Sequence, residues 1–73
     1  MTIRKIFGTN LRRLRLQKGM TQEALEHASG FDRVYISGIE RGVRNPSITA
    51  VETLAIALEV EVAELFRTPD QPE

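Results

Sequence analysis

The sequence predicts an all-α domain, compact and built from five short helices. Three observations carry that prediction. Apolar side chains recur at helical spacing along nearly the whole chain, so that each group shares one face of a helix. Gly19, Gly30, Gly42 and Pro46 punctuate the pattern, and Thr21, Asp32 and Ser47 stand where helix N-caps belong. No stretch shows the alternation of a strand, and no segment repeats.

The first helix is expected over residues 3–18, with Ile3, Phe7, Leu11 and Leu14 on one apolar stripe and Lys5, Arg12 and Arg13 opposite. Leu16 falls off the stripe, and Gly19 offers a left-handed stop. Thr21 caps a second helix over 22–28 that turns Leu25 and Ala28 inward. Gly30 supplies a permissive turn. Asp32 caps a third helix over 33–41, and Gly42 ends it. After a loop with Arg44 and Asn45, Ser47 caps a fourth helix over 48–59, where Ile48, Val51, Leu54, Ala55 and Leu58 share a face. A fifth helix over 62–66 gives Leu65 and Phe66 to the core. Residues 1–67 form one domain, and 68–73, with two prolines and two acids, a flexible tail.

Composition narrows the function. Seventy-three residues without a cysteine lie near the lower limit for a self-sufficient core, so stability must come from packed helices or from a second subunit. The longest purely apolar run, at 54–58, is far too short for a bilayer, and no signal-like segment opens the chain; a cytoplasmic setting is expected. A single His (His27), a single Tyr and no cluster of Asp, Glu and His leave no catalytic residues, no metal site, no cofactor and no evident small-molecule ligand.

The net charge is zero, yet it is unevenly spread. Residues 1–46 carry nine basic side chains against Glu23, Glu26, Asp32 and Glu40, a net of +5. Residues 47–73 carry Arg67 against six acids, a net of −5. A basic face suffices for a polyanionic partner, because counterion release depends on the face and not on the whole.

The third helix decides what the face is for. On a helical wheel Ile36 and Ile39 lie on one side and Arg33, Val34, Ser37, Gly38 and Arg41 on the other. Arginine donates two hydrogen bonds to guanine, an interaction worth roughly 1–3 kcal/mol of discrimination. Val34 suits a thymine methyl, and Gly38 leaves room for a backbone to come close. Two helices around a Ser29-Gly30-Phe31 turn, the second outward-facing and basic, have the layout of a helix-turn-helix whose second helix enters the major groove.

From about residue 7 to residue 66 the chain resembles the lambda-repressor/Cro-like (Xre) family, on NLRRLRLQKGMTQEAL and YISGIERGVRNPS. It is especially similar to the controller proteins of restriction-modification systems, which run the motif through DR-x-YIS-x-IERG-x-RNPS. The resemblance implies a five-helix lambda-repressor-like fold and binding to a double-stranded DNA operator. It places Gln22 on a backbone phosphate, Arg33 and Val34 among the base edges, Tyr35 at the groove margin and Ser37 next along. Arg41, Arg44 and Asn45 then hold flanking phosphates, and Arg15 and Glu40 form a partly buried ion pair between the first and third helices. Two departures stand out. Glu26 occupies a position where the family usually has Ala, which implies looser packing of the motif. Val34 replaces a polar residue common in controllers, which changes the expected target sequence.

Ile56 points away from the inner face of the fourth helix, and with Val60 and Val62 it offers a self-complementary patch. A homodimer built there would set two recognition helices about 34 Å apart, one DNA turn, on a pseudo-palindromic site. The competing reading is an antitoxin-like or protein-interaction module, for which only the short tail is available as a docking segment. RNA is disfavoured, because no aromatic stacking platform is present.

Overall fold

The computed structural model describes residues 2–68; beyond Thr68 the expected tail lies outside the described residues. Among the described residues four α-helices follow one another: α1 (Ile3–Gln17), α2 (Gln22–Ser29), α3 (Arg33–Glu40) and α4 (Ile48–Leu58). The expected fifth helix is instead a single 3₁₀ turn, Val62–Phe66. Extended residues at Glu61 and Arg67 bracket it, and Glu64 N–H bonds back only three residues, to Glu61 O at 3.0 Å. Five residues are too few to sustain a run of i→i−4 bonds.

Side-chain caps open each α-helix. Thr21 Oγ1 accepts from Ala24 N at 3.0 Å, Asp32 Oδ1 from Val34 N at 2.6 Å and Ser47 Oγ from Ala50 N at 3.1 Å. Thr2 does the same for α1, accepting from Lys5 N at 3.3 Å.

Phe7, Leu11 and Leu14 of α1 meet Leu25 of α2, Ile36 and Ile39 of α3, Val51, Leu54, Ala55 and Leu58 of α4, and Leu65 of the 3₁₀ turn in one core. Four expected inner residues depart from it. Ile3 is exposed and Ile48 is 88% exposed. Each is the first residue of its helix, and helical side chains lean toward the N-terminus, so both lean past the end of the core. Ala28, in the last turn of the short α2, is also exposed. Phe66 stays largely at the surface, though its ring centroid lies 5.3 Å from that of Phe7.

Two features fix how α1 sits. Asn10, fully buried, donates to Leu65 O at 3.0 Å and to Arg67 O at 2.6 Å, and accepts from Arg13 Nη2 at 3.2 Å, so the 3₁₀ turn is strapped to α1. Gly8 lies directly against the carbonyls of Ile39 and Glu40, leaving no room for a Cβ, and this lets α1 cross close to the end of α3. Among the described residues no helix is long and apolar enough to cross a membrane.

Candidate nucleic-acid interface

α3 is held at both ends by carboxylates. At its C-terminal end Arg15 donates from Nε to Glu40 Oε2 at 2.7 Å and from Nη2 to Oε1 at 3.1 Å. The two side chains are only 8% and 5% exposed. Arg15 Nη1 also reaches Met20 O at 2.8 Å, and Gln22 Nε2 donates to Glu40 Oε1 at 3.2 Å. One bidentate pair therefore joins α1, the α1–α2 turn, α2 and α3, and no buried side-chain polar atom among the described residues lacks a partner.

At the N-terminal end of α3 a second carboxylate joins Asp32. Glu26 Oε2 reaches across the turn and accepts from Arg33 N at 2.9 Å. The Glu26 carboxylate thus finds its partner within the turn, on a backbone N–H and not on a cation. Its carboxylate satisfies a helix-opening N–H and sets negative charge at the positive end of the α3 dipole. The turn itself is tied by Ser29, whose Oγ donates to Leu25 O at 2.7 Å and accepts from Phe31 N at 3.1 Å.

Between these anchors α3 presents its outward row. Arg33 and Arg41 are exposed, Val34 is 67% exposed, and Ser37 is half-buried. With Gln22 they line one shallow depression of about 220 Å³. Gln22 spends one amide hydrogen on Glu40, and the second is left for a ligand. Tyr35 is half-buried, its ring edge-on to Phe31 at 5.3 Å, so it also anchors the turn. Asn45 is exposed but lines a different depression, with Ile3, Arg4, Pro46 and Ile48.

Gly38 departs from its expected part. It is buried, and the space left by its missing side chain is filled by the stem of Arg44, not open to an approaching backbone. Sequence reasoning also missed the Glu26 cap, the Gln22–Glu40 bond and the Asn10 strap. An Asn placed among the apolar positions of α1 was the one available signal for the last.

Of the C-terminal apolar residues, Ile56 is 70% exposed and Val62 is 41% exposed, while Val60 is half-buried against the core. Ile3, Ile48 and Phe66 form a second apolar surface around the depression that Asn45 lines.

Known proteins share this fold. The helix-turn-helix family model matches residues 11–65. The HTH-type transcriptional regulator y4dJ of Sinorhizobium fredii is 46% identical over 71 residues, covering 97% of this chain and 92% of its own. The crystal structure of the restriction-modification controller protein C.AhdI from Aeromonas hydrophila superimposes with a TM-score of 0.83 at 49% identity, over 86% of this chain and 96% of that one. The controller C.Esp1396I, solved as a tetramer in complex with its natural 35 base-pair operator, superimposes at 0.79 with 36% identity, over 92% of this chain and 99% of that one. The chain belongs to the Xre-like helix-turn-helix family of DNA-binding transcription regulators.

Proposed function

We propose that the chain is a sequence-specific, double-stranded-DNA-binding transcription regulator of the restriction-modification controller type, acting as a homodimer on a pseudo-palindromic operator. The observation that carries this reading is the depression in which Arg33, Val34, Ser37 and Arg41 of α3 meet Gln22 of α2. Arg33 and Val34 read base edges there, with Ser37 beside them and Tyr35 at the margin. Gln22, Arg41, Arg44 and Asn45 hold phosphates, which fixes register without reading sequence. The buried Arg15–Glu40 pair and the Asp32 and Glu26 caps preorganise the reading helix, so little conformational freedom is lost on binding.

Dimerisation through Ile56, Val60 and Val62 removes exposed apolar surface and gives two reading helices one DNA turn apart. Assembly on DNA, though not the surface used, has a precedent in the similar controller C.Esp1396I, solved as a tetramer in complex with its operator. A cytoplasmic location accompanies the reading, because the operator lies there.

Selection of duplexes from a random-sequence library, followed by gel shift, tests the proposal. We expect an enriched pseudo-palindrome whose half-sites are about one helical turn apart. A library that yields no enriched motif overturns it.

A further inference from the structure

We propose that Gly38 is a positioning residue for DNA binding: its missing side chain is the slot in which the Arg44 stem lies, and the slot aims the Arg44 guanidinium at a backbone phosphate. The inference rests on the DNA-binding reading above and deepens it. Gly38 sits on the outward side of α3, one turn after the exposed Val34, yet it is buried. A Cβ placed there would stand 2.5 Å from Arg44 Cγ, 3.4 Å from Nε and 3.5 Å from Cδ. The middle of the arginine stem, and not its flexible tip, therefore occupies the side-chain position of residue 38.

The backbone holds the same register. Gly38 O accepts from both Val43 N at 2.9 Å and Arg44 N at 3.2 Å, so the loop after α3 is fastened to the residue that forms the slot. Glycine is a poor choice inside a helix, and the three atoms nearest to a Cβ at this position all belong to the Arg44 side chain. The slot does. A methyl group at position 38 forces the stem aside by about one bond length, and a charge-assisted hydrogen bond with its narrow range of distance does not survive that shift. Among the described residues Arg44 has no hydrogen bond or ion pair with another side chain to hold it in place of the slot.

Fluorescence anisotropy across a range of salt tests this, with the duplex enriched by selection and with poly(dI-dC). Gly38→Ala is expected to weaken binding to both DNAs by about tenfold and to reduce the salt slope by about 0.9 for each phosphate no longer neutralised. In an Arg44→Ala background the slot is empty, so Gly38→Ala should change neither affinity nor slope further. Helix propensity favours the alanine, and circular dichroism should show both variants folded. Wild-type affinity and slope in Gly38→Ala, or an equal loss with and without Arg44, overturns the inference. Failure of the wild-type chain to bind either DNA instead removes the DNA-binding reading and this inference with it.

Discussion

Glu40 receives both hydrogen bonds of the Arg15 fork, and this one carboxylate fastens the last turn of α3 to α1 and, through Gln22, to the opening of α2. The pair is nearly dry, so its two charges depend on one another. Removing one partner strands the other, which typically costs about 3–5 kcal/mol, whereas replacing both by apolar residues is often close to neutral. A domain of this size has little stability to spare. We expect Glu40→Ala to unfold in urea at a much lower midpoint than wild type, and Arg15→Leu/Glu40→Leu to recover most of the difference. A double variant no more stable than Glu40→Ala would count against the pair as described.

Glu26 should behave as a cap and not as a surface charge. Its carboxylate takes the Arg33 N–H, and Asp32 takes that of Val34, so the two are not redundant. Glu26→Ala is expected to lower stability by about 1 kcal/mol, the usual worth of an N-terminal capping interaction. For a domain of this length that is a fall of roughly 4–8 °C in Tm. An unchanged Tm would mean that the bond contributes nothing.

How much of this was legible beforehand varied with the kind of interaction. Helical periodicity located Phe7, Leu11, Leu25, Ile36 and Leu54 in the core, because burial of a stripe is written in the spacing. It failed at Ile3 and Ile48, where the stripe runs on to the first residue of a helix while the core stops short. The end of α4 shifted by one residue, since Glu59 itself takes the left-handed cap position at φ 57° and no glycine marks it. The residues of the α3 outward row were readable for the same reason as the core. Gly38 was not: its partner lies in the following loop, and a helical wheel carries no information about what folds back over it.

The homodimer should respond to charge at one apolar surface and not at the other. Ile56 and Val62 remain exposed in the single chain, as do Ile3, Ile48 and Phe66 around a separate depression. We expect Ile56→Lys to shift sedimentation toward an 8.2 kDa species, while Ile48→Lys leaves the dimer intact. Dissociation by Ile48→Lys alone would move the interface to the second surface.

Arg33 and Arg44 should separate reading from holding. Arg33 opens α3 and is exposed, with its backbone fixed by Glu26 and its side chain lining the depression beside Val34 and Ser37. A hydrogen bond to a base edge contributes only on the matching base pair, whereas one to a phosphate contributes on every duplex. Arg33→Ala is therefore expected to bring affinity for the selected duplex down toward that for poly(dI-dC), with the latter falling far less. The loss for one bidentate interaction is roughly 1–3 kcal/mol, and a twofold dimer makes it in each half-site. Arg44→Ala should weaken both DNAs together and lower the salt slope. Competition gel shifts decide between the two patterns. If Arg33→Ala retains full preference for the selected duplex, discrimination falls instead to Val34 and Ser37, and a Val34→Ala series on duplexes with uracil in place of thymine then reads the methyl interaction directly.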